Sequence, residues 1–312
     1  MRKSFLIFSV IVLTCLACSG QQTPYFTQFT ELKSYVNPAA TGSSGLLVAG
    51  FAGRHQWLGL QSNEGQHIGP RSYMIFADIP FADVQSSLGI MTLYDRIGPE
   101  ESILLRVNGA HHFKPGRYHT FSLGLSADYL YKSFDGNLMP PGSPVAGMAF
   151  SGGASGIDLG AGILYRHEGG SYVGISAYNL MQTAIEYTGF NYLNKRQYLF
   201  LAGTSIPLVY SRSMQLSFLP SLLIQTTELL IPQYDIQSGL LINDRLYFGI
   251  TYRYDDSIGA VAGLYVGNIK VGISYDYTTS LLREGGSYGS PELVITYSAK
   301  QKKRPAWQDF CY

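Results

Sequence analysis

The sequence predicts an all-β chain that forms a transmembrane outer-membrane β-barrel of about fourteen antiparallel strands. Three observations predict it. From residue 44 onward, segments of about ten residues alternate apolar with small or polar side chains, the period of a strand whose two faces meet different surroundings. Charged residues make up 14% of the chain against about 25% in ordinary soluble domains, while tyrosine (24) and glycine (35) are abundant. After the first twenty residues no apolar run approaches the ~18 residues of a spanning helix, and no helical period is sustained.

Residues 1–20 read as a secretory signal. Arg2 and Lys3 open it, Phe5 to Ala17 is apolar, and small residues close it before Gln21. Cleavage after Gly20 competes with lipoprotein processing at Cys18, although Cys15 stands where a lipobox wants an aliphatic residue. Residues 21–43 precede the first strand and belong in the periplasm or in the lumen. The barrel spans 44–299, and 300–312 form a periplasmic tail starting with Lys300, Lys302, Lys303 and Arg304. That tail is either a solvated end or a docking peptide.

Strands are expected at 44–56, 71–80, 86–95, 100–112, 118–133, 156–167, 171–179, 196–207, 213–225, 232–242, 245–254, 257–266, 269–279 and 289–299. The alternation is cleanest in 269–277: Ile269, Val271, Ile273, Tyr275 and Tyr277 oppose Lys270, Gly272, Ser274 and Asp276. The tyrosine pair suits an aromatic girdle at a membrane interface. Alternation is poorer in 71–80 and 213–225. The connections agree with this division. The long ones, 134–155, 180–195 and the glycine-rich 280–288, all fall on one end, and compact turns such as Asn243-Asp244 and Gly267-Asn268 on the other. Outer-membrane barrels have short periplasmic turns and long external loops.

Catalytic signatures are absent. There is no G-x-S-x-G nucleophile turn, phosphate-binding glycine loop or paired-cysteine metal spacing, and no catalytic, cofactor or metal residue is assigned. His111 and His112 would point to opposite faces of a strand and not chelate together. A net charge of +1 argues against a nucleic-acid partner. With Cys15 and Cys18 in the signal, Cys311 stands alone and no disulfide framework exists. Asp128, Asp158, Arg166, Arg253, Lys270 and Asp276 fall on the lumen face, where they pair across strands or set selectivity. Arg54, Trp57 and Trp307 read as interface anchors or packing groups.

Gln21-Gln22 with Pro24, Tyr25-Phe26-Thr27-Gln28-Phe29, and Tyr35-Val36-Asn37-Pro38-Ala39-Ala40-Thr41-Gly42 resemble the opening of the PorP/SprF family. Further likenesses lie at Arg54-His55-Gln56-Trp57 with Gly59, Gly239-Leu240 with Asn243, Tyr252-Arg253 with Asp256-Ser257-Ile258, and Gly272-Ile273-Ser274-Tyr275-Asp276-Tyr277. The resemblance spans almost the whole mature chain. It implies a non-enzymatic outer-membrane part of the type IX secretion system, needed to export cargo with C-terminal sorting domains, gliding adhesins or secreted proteases among them. The implied partners are periplasmic ring proteins, an OmpA-like peptidoglycan-binding lipoprotein, the translocon, secreted cargo and outer-membrane lipid. The main pore of that system belongs to a far larger barrel, which leaves a connector or recruiting role. The alternatives are a FadL-like small-molecule transporter of similar strand count and a surface adhesin. A transporter of that kind carries an N-terminal plug, for which 21–43 looks short.

Overall fold

A computed structural model describes residues 23–299 except 62–64, 66–67, 136–150, 188–189, 212 and 229–231. The signal at 1–20, the tail at 300–312 and Trp307 lie outside the described residues.

The strands are β1 (Leu47–His55), β2 (Arg71–Phe81), β3 (Ser86–Ile97), β4 (Glu100–Phe113), β5 (His119–Asp135), β6 (Ser151–His167), β7 (Tyr172–Tyr178), β8 (Ala184–Tyr187), β9 (Phe190–Leu193), β10 (Gln197–Gly203), β11 (Ile206–Tyr210), β12 (Gln215–Thr227), β13 (Gln233–Ile242), β14 (Leu246–Arg253), β15 (Ser257–Val266), β16 (Ile269–Thr278) and β17 (Ser290–Ala299). Neighbours pair antiparallel in sequence order, and β1 closes on β17 from Leu47↔Ala299 to Arg54↔Glu292. Strands β10 and β11 are two halves of one wall strand, both paired with β12. The wall is therefore a closed fourteen-stranded antiparallel barrel, with β8–β9 as a separate hairpin in the loop after β7. Pro220 in β12 explains the break. It has no N–H for the ladder and lies opposite 204–205, where Thr204 N–H donates to the Pro220 carbonyl at 3.1 Å.

Connections at one end, such as 82–85, 168–171 and 267–268, are short, while those at the other include 56–70, 136–150 and 179–196. The three-residue connection between β13 and β14 turns on Asn243 and Asp244, both at φ 52°, with Arg245 N–H donating to the Ile242 carbonyl at 3.0 Å. Outward-facing side chains are apolar and exposed, for example Leu125 (69%), Ile250 (66%) and Ile273 (57%). A lipid environment removes the penalty water would impose on them. Tyr73, Tyr94, Tyr252, Tyr275 and Tyr277 ring the long-loop end, and Phe113, Phe121, Tyr165 and Tyr297 the short-turn end.

The interior differs from the expected polar lumen. Residues 23–46 run inside the barrel from the long-loop end, where Thr23 bonds Gln197, to the short-turn end, where Ser87 donates to the Thr41 carbonyl at 2.9 Å. The described residues thus begin and end at opposite ends of the barrel, Thr23 at the long-loop end and Ala299 at the short-turn end. Along the way lie one helical turn, α1 (Lys33–Val36), and a 3-10 turn at Pro38–Ala40. Phe26, Phe29, Leu32, Tyr35 and Val36 pack against lumen-facing Met74, Phe76, Met91, Leu93, Leu199, Leu201 and Leu223 in one buried cluster. This plug accounts for the poor alternation of β2, whose inward Met74 and Phe76 meet a protein core and not water, and on β12 for the inward Leu223.

Candidate functional site

The plug is held by polar contacts at three levels. At the long-loop end, Arg54 on β1 is 1% exposed. Its Nη2 reaches Asp276 Oδ2 at 2.7 Å and its Nη1 reaches Glu292 Oε2 at 3.1 Å. Glu292 also accepts the backbone N–H groups of Thr27 (2.7 Å) and Gln28 (2.8 Å), so one carboxylate binds both the wall arginine and the plug backbone. The Thr27 hydroxyl donates to Asp276 and accepts from Arg54 at 2.7 Å. Beside it, Arg253 pairs with Asp235 at 2.5 Å, Asp256 at 3.3 Å and Asp276 at 3.7 Å.

At mid-height, Arg106 forms a two-pronged pair with Asp128 at 2.8 and 2.6 Å, a geometry that only a guanidinium supplies. Its third arm reaches the Tyr35 carbonyl at 3.1 Å, an acceptor shared with Tyr178 Oη at 3.0 Å. The guanidinium lies 3.8 Å from the Tyr178 ring centroid. The Tyr35 hydroxyl donates to the Pro24 carbonyl at 2.9 Å.

Nearer the short-turn end, Asn37 Nδ2 donates to the carbonyls of Ile163 (3.0 Å) and Ile175 (3.1 Å), paired residues on β6 and β7. Its Oδ1 caps the 3-10 turn by accepting from Ala39 N–H at 2.9 Å. Gly124 is required here because a Cβ would run into the Pro38–Ala39 backbone, and a Cβ on Gly162 would meet the Asn37 side chain. The Asn-Pro-Ala segment therefore acts as a wedge seated against bare wall backbone.

Of the residues expected in the lumen, Asp128, Asp158, Arg253, Lys270 and Asp276 are buried there and Arg166 is half-buried. Lys270 pairs with Glu31 of the plug and not across strands. Asp158 accepts the N–H groups of Met181 (2.9 Å) and Thr183 (3.0 Å) and so pins the loop after β7. Arg54 is not an interface anchor but the hub of the long-loop cluster. Trp57 is half-buried just past β1, its N–H donating to Ser290 Oγ at 3.1 Å. His111 faces outward against Ser86 (2.8 Å), and His112 faces inward between Ser87 (2.6 Å) and Ser122 (2.8 Å).

Sequence reasoning missed Thr27, Arg106, Asp235 and Glu292. Strand parity carries the missing signal: Arg54 shares the inward parity of Ala52, Glu292 that of Val294, and Asp235 that of Gln237. Thr27 has no such signal, because a plug segment has no period.

A comparison with curated proteins returns no match. Among solved structures, CdiB from Acinetobacter baumannii is 8% identical with a TM-score of 0.47, covering 81% of this chain, and this chain spans 60% of its length. The CymD monoaromatic hydrocarbon channel is 12% identical at 0.49, covering 86% of this chain and 92% of its own. A Pseudomonas aeruginosa FadL homologue is 10% identical at 0.44, covering 85% and 93%. Scores below 0.5 at such identity carry no functional information about this chain. The family description "Type IX secretion system membrane protein PorP/SprF" matches residues 18–297, which takes in the plug and all but the last two residues of the barrel. The chain belongs to the PorP/SprF family of type IX secretion system membrane proteins.

Proposed function

We propose that the protein is a closed connector or recruiting subunit of the type IX system in the outer membrane, needed for export of cargo with C-terminal sorting domains and distinct from the main pore. One observation carries this reading: the lumen is packed by the chain's own residues 23–43, with Ala39, Thr41, Ala52 and Asn108 at 1% exposure or less. A barrel of this strand number holds side chains and at most a narrow channel, and a core-like plug removes that channel. Information would then pass through surfaces: short turns and the 300–312 tail in the periplasm toward ring proteins and the OmpA-like lipoprotein, loops outside toward translocon or cargo. Adjacent aromatic and basic residues in the tail, Trp307 and Phe310 beside Lys302 and Arg304, suit such contacts.

The test is truncation after Lys300, with three readouts. The barrel is expected to insert normally, co-purification of type IX components to fall, and secretion of sorting-domain cargo to drop. Unchanged partners and secretion would remove the tail from the proposal. The filled lumen also bears on the transporter reading, since the segment judged short for a plug does act as one. Planar-bilayer conductance decides between the readings: a connector stays closed, whereas solute-dependent opening would favour a transporter.

A further inference from the structure

We propose that the long-loop end of the lumen holds a hard, oxygen-ligated divalent cation of the Ca²⁺ class, in a small cavity between Asp235 on β13 and Asp276 on β16. The cavity measures about 10 Å³, room for a single water or ion, and is lined by Thr27, Asp235, Thr251, Arg253, Ser257 and Asp276 among others. Two of its lining residues each carry a buried carboxylate oxygen with no hydrogen-bond partner among the described residues: Asp235 Oδ2 and Asp276 Oδ1, on residues 5% and 2% exposed. A buried carboxylate oxygen without a donor is costly. The opposite oxygen of each is already engaged, Asp235 Oδ1 by Arg253 and Asp276 Oδ2 by Arg54. The remaining oxygens are thus leftovers of an otherwise satisfied ion-pair network beside the cavity.

Charge balance points the same way. Two guanidiniums, Arg54 and Arg253, face four carboxylates, Asp235, Asp256, Asp276 and Glu292. With both arginines at full charge, a twofold negative excess remains in this cluster, which a divalent ion would cancel. Ligand chemistry fits as well: carboxylate and hydroxyl oxygens, without sulfur or imidazole, select Ca²⁺ or Mg²⁺ over transition metals. The absent side chain of Gly259 leaves room for Asp276 Oδ1 and Thr251 Oγ1 to approach the same point, since a Cβ there would collide with both. Such an ion would bridge β13 and β16 and brace the carboxylates that hold Thr27 of the plug. The site goes beyond a secretion role, and its presence or absence leaves the connector reading untouched.

The test uses the full chain purified in detergent. Metal content of the untreated protein is measured by mass spectrometry, then the chelator-treated protein is titrated calorimetrically with Ca²⁺ alone and with Mg²⁺ alone. The expected result is one divalent ion per chain, a lower unfolding temperature in chelator, and its recovery on adding the ion. Thr251→Val, which keeps the shape and every ion pair, is expected to weaken binding on the order of tenfold, and Asp235→Asn to abolish it while the barrel remains heat-modifiable on gels. Absence of metal, with an unfolding temperature indifferent to chelator, would overturn the proposal and leave water or a protonated carboxylate in the cavity. Binding undiminished in both variants would overturn it too, because the ion would then sit elsewhere, for instance on residual lipopolysaccharide.

Discussion

Glu292 on the last strand accepts the Thr27 backbone N–H at 2.7 Å, joining groups 265 residues apart in sequence. The same carboxylate meets Arg54 of the first strand across the closing seam, where the two residues are in register. Seam and plug therefore share one ionic anchor.

Loss of Arg54 should uncouple them. Arg54→Met removes the partner of two buried carboxylates, and breaking a buried pair in this way costs about 3–5 kcal/mol. Unfolding in urea from detergent micelles is expected to shift by that amount. Limited proteolysis should cut within residues 23–30 in the variant before the barrel itself yields. An unchanged cleavage pattern would show that Arg54 does not secure the plug.

Two wall glycines face opposite ways, Gly124 on β5 toward the wedge and Gly109 on β4 outward. Gly124→Ala drives a methyl into the Pro38–Ala39 backbone and is expected to cost about 1–3 kcal/mol through overpacking. Gly109→Ala, with nothing within 4 Å of its added carbon, should change stability by less than about 0.5 kcal/mol. Equal effects on the unfolding midpoint would mean that the wedge is not seated as described.

Removing the Asn37 side chain tests the other face of that contact. Asn37→Ala deletes two bonds to wall carbonyls and a cap, with an expected loss of about 1–3 kcal/mol. Asn37→Asp retains the cap but not the donor, so it should recover only part of the stability. Full recovery would assign the effect to capping alone.

Membrane placement is checked at Ile273. An arginine on this lipid-facing position should cost about 2–4 kcal/mol near the bilayer midplane and reduce the folded fraction in outer membranes. If Ile273→Arg inserts as well as the parent, β16 does not present that face to lipid.

Orientation follows from two cysteines in a Cys311→Ser background. Leu281→Cys, at an 81% exposed position in the long-loop set, is expected to react with an impermeant thiol reagent on intact cells. Gly169→Cys, in a short turn, should react only after permeabilisation. The reverse pattern would invert the barrel in the membrane.

The wall was legible in the sequence because lipid on one side imposes period two, and β5, β14 and β16 display it without interruption. Where the inner face meets the plug, as at Met74 and Phe76 on β2, the period fades, since a protein core and lipid both select apolar side chains. The split of β10 from β11 hung on Pro220, two strands along in sequence, which only pairing reveals. Parity placed Asp128, Arg253 and Asp276 in the lumen, but not the partners they meet there, because Arg54, Glu292 and Thr27 come together only when the ring closes.

The plug also constrains how the molecule is made. Residues 23–46 lead directly into β1, the strand that seals against β17, while Asn37 grips β6 and β7 on the opposite wall. Because Glu292 on the last strand holds both Arg54 of the first strand and the backbone of Thr27, sealing the ring and seating this segment complete one shared anchor, which favours a last pairing made around an occupied interior. Variants that loosen the stopper should be recognised by slow closure before any effect on secretion is seen.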